Sequence, residues 1–407
     1  MKSRFLGLVG AVVMVAAACG GSGGGTAANS PSSSVPFNVI SVAGISGSTG
    51  ALAASFHFGM QSAAIVLNQQ GGILGHKIKI TTYDTGGSAT NGVSLLTQQL
   101  TSTPPDGGTW NFCQCGGSSD EALAENPIAG QYKVISVTNT GATQLQDPKQ
   151  FPYHFNNSTD ARLTAKYLVA DVQKMSFKKL ALFTSDAAYG QTENQQIGAQ
   201  LKAANIPYIN LTFSATAVDD SPALLQLQSQ GVDLIIWSGL GANIGTVLKD
   251  RKKIGWNVPM VGDLGVSSSD DLALVGGDKS ALTGTSIFAF TADVAGSSIS
   301  STASFKNFAD TLQTVAPVIT GPLHNYLSGW DALQLMKLAA TQAGSLDNDK
   351  MKAALENLTV PSSAQLLLSP SGFGWTSASH APVNPADEFE IVSVGPLVNG
   401  QFVPPTS

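Results

Sequence analysis

Short runs rich in Val, Ile and Leu alternate along the chain with longer runs in which apolar residues recur at helical spacing. The predicted strands are residues 37–43, 77–83, 133–137, 180–184, 208–213 and 234–237. The predicted helices are residues 52–69, 89–100, 119–129, 161–175, 192–204, 222–230 and 244–254. Strands without a clean alternation, separated by helices, are typical of parallel sheets covered on both faces. The pattern therefore predicts an α/β fold of doubly wound parallel sheets.

The length of the patterned region indicates how many such sheets to expect. About 370 residues follow Pro36, which is more than one simple core holds, so we expect two α/β domains. Trp237 ends a predicted strand and Trp330 lies in an apolar helical stretch, so both are expected in the core. After residue 19 we expect no apolar run long enough to cross a bilayer, which takes about 20 residues.

The first residues have the form of a secretory signal peptide, residues 1–18. Lys2 and Arg4 precede an apolar stretch that is too short to span a membrane. The stretch ends in Ala before Cys19 and Gly20, which resembles the lipobox of bacterial lipoproteins. That resemblance implies cleavage before Cys19 and a lipid on its thiol; the alternative is an ordinary signal peptide with an incidental cysteine. Residues 19–36 are expected to be a Gly/Ser-rich tether, so the folded body would work outside the cytoplasmic membrane, anchored by lipid.

Charge narrows the class of partner. The chain carries 21 Lys and Arg against 27 Asp and Glu, a formal net charge of −6, and no basic run. Because binding a phosphate backbone takes clustered cations, we expect no nucleic acid as a partner. Only 12% of the residues are charged, which indicates a polar but weakly charged surface.

No pattern typical of an enzyme is present. The spacing G-x-G-x-x-G fails after the first strand, and neither G-x-S-x-G nor H-E-x-x-H occurs in the patterned region after Pro36. The histidines lie at no metal-ligand spacing: His57, His76, His154, His324 and His380. We therefore expect a protein that is not an enzyme and that holds no cofactor and no metal.

Cys113 and Cys115 are the cysteines that remain beyond Cys19. Two cysteines are too few for a structural zinc site, which takes four ligands. They are either two small buried residues at the end of a strand or, in an oxidising compartment, a disulfide bridge between positions i and i+2.

Several short motifs occur in an order found in one protein family. The first strand ends in Gly44-Ile45-Ser46-Gly47, the first helix is followed by Gly71-Gly72-Ile73-Leu74-Gly75, and Tyr83-Asp84 comes next. Further pieces lie downstream: Cys115-Gly116-Gly117-Ser118-Ser119, residues 135–140, 186–190, 262–265 and 329–334. The ordered set covers about residues 37–395 and resembles the leucine/isoleucine/valine-binding protein family.

This resemblance implies a type I periplasmic-binding-protein fold, in which three hinge crossings join two α/β lobes. The crossings are expected near residues 156, 286 and 385, so that lobe 1 comprises 37–156 with 286–385, and lobe 2 comprises 157–285 with 386–405. Members of the family capture a small molecule between the lobes and deliver it to the permease and ATPase subunits of an ABC importer. The alternative within the same fold is a ligand-sensing subunit that works with a receptor or kinase.

Ligands of open α/β sheets bind at the carboxyl ends of strands, where free N–H groups of helix N-termini favour a carboxylate. Ser118 and Ser119 precede a predicted helix, and Thr138, Asn139 and Thr140 follow a predicted strand. We expect these residues to bind ligand, although Ser119 is equally well explained as a helix N-cap. The resemblance adds Tyr189 as a cleft residue; the alternative is a loop aromatic that packs locally.

The chain departs from the family at three expected ligand contacts. Leu52 and Leu240 stand where the family has aromatic residues, and Leu264 stands where it has the glutamate that neutralises the ligand's ammonium. Burying an ammonium without a partner costs several kcal/mol. Asp263 could substitute, but adjacent residues of an extended segment point to opposite sides. We therefore expect Leu240 and Asp263 at the site, and a ligand that lacks the amine or carries a larger apolar part.

Overall fold

The computed structural model describes residues 34–47 and 50–403. The predicted signal peptide, the lipidated Cys19 and most of the predicted tether lie outside the described residues. The helices are α1 Gly50–Gln69, α2 Ala89–Leu100, α3 Ser119–Gln131, α4 Ala161–Val172, α5 Ala188–Ala203, α6 Ser221–Ser229, α7 Ala242–Lys253, α8 Leu264–Ser267, α9 Asp271–Leu274, α10 Ala303–Val315, α11 Leu323–Ala343 and α12 Asn348–Leu355. The main strands are β1 Phe37–Ala43, β2 Ile78–Asp84, β3 Trp110–Cys115, β4 Ile135–Thr138, β5 His154–Asn156, β6 Leu180–Ser185, β7 Tyr208–Phe213, β8 Leu234–Ser238, β9 Met260–Gly262, β10 Thr285–Phe290 and β11 Phe389–Ser393, and a small hairpin pairs β12 Leu397–Val398 with β13 Gln401–Phe402.

The first sheet has the strand order β2-β1-β3-β4-β5, and its strands are parallel. Successive side chains of β1 enter different cores because side chains alternate across a strand. Val39 packs in the core that contains α1 and α11, whereas Ile40 and Val42 pack against residues of α2. Both faces are therefore covered, which explains why β1 is apolar throughout instead of alternating.

The second sheet has the order β11-β10-β9-β8-β6-β7 and is parallel except for β11, which runs antiparallel to β10. Leu234 and Ile236 of β8 face one core, and Ile235 and Trp237 face another. The sequence prediction of doubly wound parallel sheets is confirmed, as are the buried positions of Trp237 and Trp330.

Strand β3 was not predicted from its sequence, because it carries two amides among its apolar residues. Both amides are buried and hydrogen-bonded to β1: Asn111 Oδ1 accepts the Asn38 N–H at 3.0 Å, and Gln114 Oε1 accepts the Ser41 hydroxyl at 2.7 Å. The side chains thus replace water with neighbouring strand atoms, which removes the cost of burying them. Near the end of β3, Cys113 and Cys115 form a disulfide, which decides between the two alternatives left by the sequence.

The chain passes between the sheets after β5, after β10 and before β11. The second crossing was expected near residue 286. Residue 286 lies inside β10, and β10 pairs with β11 of the second sheet from Ser286 to Phe290, so the chain leaves this sheet after Phe290. The division into two lobes stays a prediction.

Helix α1 is long and apolar enough, by length and composition, to cross a membrane, contrary to the expectation that no such run follows residue 19. Its most apolar window is 67% buried inside the protein. It packs against α10 and α11 rather than facing outwards. Such a helix is typical of the core of a folded domain, and we interpret α1 in that way.

Helices α1 and α11 approach closely because each carries a glycine at the contact. A Cβ atom on Gly59 would lie 1.9 Å from the Tyr326 carbonyl oxygen, and one on Gly329 would lie 1.9 Å from the Phe56 carbonyl oxygen. Next to this contact, Trp330 is fully buried, packs edge-on against Phe308 and donates its indole N–H to a carbonyl at 2.8 Å. The core that contains residues of both helices therefore depends on this close contact.

We expect Gly329→Ala to lower the free energy of unfolding by about 1–3 kcal/mol, because the added methyl group meets backbone that cannot move aside. The matched control is Gly130→Ala in α3, where a Cβ atom has nothing within 4 Å. It should leave stability unchanged or raise it by about 1 kcal/mol, since Ala favours a helix over Gly. Urea unfolding of both variants measures the difference, and equal effects would contradict the close approach of α1 and α11.

Candidate functional site

The carboxyl ends of strands from both sheets face one cavity. Most of its lining residues lie at or beyond the ends of β3, β4 and β5 in the first sheet and of β6, β8, β9 and β10 in the second, and helices α1 and α11 contribute the rest. The cavity holds about 560 Å³ of space between atoms, including the part open to solvent. Side chains with hydroxyl, amide or imidazole groups line part of it: Ser118, Ser119, Thr138, Asn139, Thr140, Ser158, Thr159, Tyr189, Ser268, His324 and Asn325.

One polar part of the wall is the N-terminus of α3. Ser118 is the N-cap, and its hydroxyl accepts the Glu121 N–H at 3.4 Å. Ser119, which was open to interpretation as the N-cap, is instead the first helical residue, and its hydroxyl lies 2.8 Å from that of Thr140. Gly116 has φ of 93° and a Cβ there would lie 2.5 Å from the Ala122 nitrogen, so only glycine fits this turn.

Glu121 supports the turn from behind, a role that was not predicted. Its side chain is fully buried and accepts the Gly117 N–H at 3.1 Å and the Thr85 hydroxyl. The spacing from Ser118 to Glu121 is the S-x-x-E signal of a capping box, so the sequence did contain a clue. A carboxylate at this end also interacts favourably with the helix dipole.

The loop after β4 contributes residues that are already oriented by partners. The Thr138 hydroxyl lies 2.8 Å from Nε2 of His154, and both side chains are buried. Asn139 donates from Nδ2 to Oδ1 of Asn325 at 3.2 Å. The structure therefore brings the predicted residues of β3 and β4 to one wall, and their orientation is set by groups of the protein itself.

On the side of the cavity formed by the second sheet, Tyr189 is a lining residue and donates its hydroxyl to Oδ2 of Asp263 at 3.1 Å. The other carboxyl oxygen of Asp263 accepts the N–H groups of Gly265 and Val266, at 3.0 and 3.3 Å. Asp263 is therefore the N-cap of α8 and does not line the cavity. The prediction that it contacts ligand needs correction, because its carboxylate is used by the fold; the other predicted contacts, Leu240 included, do line the cavity.

Burial acts on the titration of the groups behind Tyr189. Desolvation is the main cause that raises the pKa of Asp263 and of Glu193, two fully buried carboxyl groups that also repel each other. Burial and the charge of Asp263 likewise raise the pKa of Tyr189 well above its ordinary value. Tyr189 is thus neutral near pH 7 and serves as a hydrogen-bond donor to Asp263.

An apolar part of the wall faces these polar groups. It consists of Leu52, Ala122, Leu240, Leu264 and Phe290. None of the described lining residues is an Asp, Glu, Lys or Arg. The described part of the cavity therefore offers no carboxylate partner for a ligand's ammonium.

Ser268, His324 and Asn325 line the cavity and were not predicted as site residues. His324 and Asn325 lie in the first turn of α11, and Ser268 directly follows α8. The Ser268 hydroxyl lies 3.1 Å from Nε2 of His324, and the Ser268 carbonyl accepts the Asn325 amide at 3.2 Å. No local motif marks these positions. A lone histidine in an apolar helix is more often structural, so His324 gave no signal of a site.

No group of three or more His, Cys, Asp or Glu that could hold a metal ion occurs among residues 34–47 and 50–403.

Comparison with known proteins agrees with this architecture. A family model described as periplasmic binding protein matches residues 39–395, so the chain belongs to that family. The resemblance to its leucine/isoleucine/valine-binding members is confirmed by the Leu/Ile/Val-binding protein BraC3 of Rhizobium johnstonii. That protein is 22% identical over 295 residues, which cover 71% of this chain and 75% of the relative.

Two solved structures share the type I periplasmic-binding-protein fold. The branched-chain amino-acid transporter substrate-binding protein LivJ of Streptococcus pneumoniae, in complex with isoleucine, is 16% identical with a TM-score of 0.69, covering 90% of this chain and 97% of that one. A solute-binding protein of an ABC transporter from Rhodopseudomonas palustris, in complex with 3,4-dihydroxybenzoic acid, is 20% identical with a TM-score of 0.66, covering 79% and 85%. The chain is therefore a solute-binding protein, and the family is not one of enzymes, in agreement with the expectation from the sequence.

We expect stability to fall as pH rises from about 4 towards 8, through the buried pair of Asp263 and Glu193. Both folded-state pKa values are raised, so the folded protein keeps protons that the unfolded chain releases above about pH 4. The stabilisation is fully present below the unfolded pKa and is lost as pH rises through the folded pKa. Glu193→Gln removes one charge at nearly constant shape. It should raise the melting temperature more at pH 8 than at pH 4, and a larger gain at pH 4 would contradict this account.

Proposed function

We propose that this protein is the extracytoplasmic solute-binding lipoprotein of an ABC importer. It captures a small polar ligand, an amino acid or a related carboxylate or amide, and delivers it to a membrane permease. The observation that carries the proposal is the shared cavity, which strand ends of both sheets line with hydroxyl groups and a helix N-terminus on one side and apolar side chains on another. A ligand there would contact residues from both sheets, so binding would favour a closed arrangement of the two predicted lobes. A permease could recognise that closed form.

The polar end of the cavity suits a carboxylate. The N-terminus of α3 carries free N–H groups and a partial positive charge, and the hydroxyl groups of Ser118, Ser119 and Thr140 lie beside it. The apolar wall suits a hydrocarbon part, because burying it there removes apolar surface from water. Together these features favour a small amphipathic acid over a sugar or a cation.

The relatives do not decide between ligands with and without an amine. One similar structure holds isoleucine, which has an ammonium, and another holds 3,4-dihydroxybenzoic acid, which has none. In this chain Leu264 lines the cavity and Asp263 lies behind Tyr189, so neither offers a carboxylate to an ammonium. A ligand without the amine is therefore favoured.

The test of the site uses two variants of Tyr189 and a thermal-shift panel of amino acids, short and aromatic carboxylates, amides and polyols. Binding to the folded state raises the melting temperature by mass action. For any compound that binds, Tyr189→Ala should weaken affinity by about tenfold or more, since the ring is lost from the wall. Tyr189→Phe should change it by only about two- to threefold, because the hydroxyl points to Asp263.

Equal affinity in the wild-type protein and the Tyr189→Ala variant would rule out this cavity as the site. A panel in which no compound raises the melting temperature would count against the solute-binding role itself.

The lipid anchor is tested separately. In a bacterial host, the wild-type chain should fractionate with the membrane, whereas Cys19→Ala should be released, because one acylated cysteine supplies the attachment. Ser22→Ala, which alters the tether but not the cysteine, is the control and should stay with the membrane. Release of the wild-type chain together with Cys19→Ala would contradict lipidation at Cys19.

A further inference from the structure

His324 is the one imidazole side chain among the described residues that line the cavity. It is nearly fully buried and lies in the first turn of α11. On its inner side, Nδ1 lies 2.5 Å from Oδ2 of Asp293, which is itself fully buried. The other oxygen of Asp293 accepts the His324 backbone N–H at 2.8 Å. This two-point contact makes Asp293 a positioning residue that holds the imidazole in one orientation.

The hydrogen bonds around Ser268 indicate which proton the imidazole shows to the cavity. The Ser268 hydroxyl lies 2.6 Å from the Leu264 carbonyl oxygen, and a carbonyl can only accept. The single hydroxyl proton is therefore directed at Leu264. In the contact of Ser268 Oγ with Nε2 of His324, at 3.1 Å, Nε2–H is then the donor, while Nδ1–H donates to Asp293, so both ring nitrogens act as donors in this network. His324 thus presents an N–H group at the wall that Ser268 shares.

A serine-hydrolase triad also joins a serine, a histidine and an aspartate in this order, as Ser268, His324 and Asp293 are joined here. The geometry differs from such a triad in two respects. The serine proton points to a carbonyl and not to the imidazole, so no base is poised to remove it. Ser268 also lies at the C-terminal end of α8, so it is not beside the N–H groups of a helix N-terminus that could form an oxyanion hole. The arrangement is therefore suited to binding rather than to acyl transfer.

The donor lies close to the position where the resemblance places an ammonium-binding glutamate. That position is Leu264. Its carbonyl accepts the Ser268 hydroxyl, and the oxygen of the same hydroxyl lies next to the imidazole. The chain therefore offers an apolar side chain and an N–H donor where a carboxylate acceptor was expected. An ammonium there would meet an N–H donor and no carboxylate among the described lining residues, whereas a ligand oxygen would meet its complement.

We infer that the cavity selects a carboxylate whose second polar group is a hydrogen-bond acceptor, such as a 2-oxo or 2-hydroxy acid, and that His324 is the residue that selects it. The inference rests on the proposed function, because it names the ligand class of the same site. An N–H group held by a buried carboxylate makes a strong hydrogen bond, and a matched ligand lacking the acceptor should lose at least about tenfold in affinity.

The experiment compares matched pairs that differ only at the second polar group. The probes are alanine and pyruvate, leucine and 4-methyl-2-oxopentanoate, and phenylalanine and phenylpyruvate, measured by calorimetry and thermal shift on the full chain. The three pairs cover small, branched and aromatic apolar parts. We expect at least one 2-oxo acid to bind, and to bind at least about tenfold more tightly than its amino acid.

Variants of His324 then separate recognition from folding. His324→Leu should lower the affinity for the bound 2-oxo acid by about tenfold or more and leave its analogue without the oxo group unchanged, for example 4-methylpentanoate for the branched pair. His324→Gln, which can still donate an N–H, should restore part of the affinity. His57→Gln is the control, because His57 is buried in α1 and is not a lining residue. It should leave the preference for the oxo acid unchanged.

Each outcome of these measurements supports or overturns the inferred ligand class or the role of His324. Tighter binding of an amino acid than of its 2-oxo acid would overturn the inference and leave the proposed solute-binding function standing. Equal losses for the oxo acid and its analogue in His324→Leu would overturn the role of His324. Binding by none of the 2-oxo acids would overturn the inference as well, and the wider panel of carboxylates, amides and polyols tests the proposed function independently.

Discussion

Parallel pairing of the strands is the constraint on which the site depends. Strands that run parallel end at one edge of their sheet, so the loops that follow β3, β4 and β5 gather in one place, and those that follow β8, β9 and β10 gather in another. Each return helix covers a face of its sheet and starts near the same edge, with its free N–H groups towards the ligand. The cavity is therefore a consequence of the topology, and the residue types at the strand ends decide its chemistry.

The polar groups of the cavity are oriented before a ligand arrives. Thr138 contacts His154, Ser119 contacts Thr140, and Tyr189 contacts a carboxylate, each through a hydrogen bond within the protein. Burying these groups without partners would cost free energy, so the fold supplies partners, from behind the wall for Thr138 and Tyr189 and from within it for Ser119. A wall that is held in this way loses little entropy on binding, and its geometry discriminates between ligands of similar size.

One of the three departures from the leucine/isoleucine/valine-binding pattern lies directly after β9. Asp263 turns its carboxylate to the α8 backbone and to Tyr189, and Leu264 turns its side chain to the cavity. The two neighbouring residues thus have different roles, because Asp263 is the N-cap of α8 and Leu264 is the first residue of that helix.

The sequence by itself determined many of the helices and strands, the α/β class, the family and most of the cavity wall that follows β3 and β4. It could do so because apolar periodicity and the hydroxyl residues at strand ends are local properties of the chain. Only the tertiary structure decided that His324 and Ser268 meet at the same cavity and that Asp263 lies behind it. It also decided that β3 is a strand, since its buried amides depend on partners in β1. Spacing along the chain says nothing about contacts made by residues that are distant in sequence, and those contacts decide which buried polar groups face a ligand.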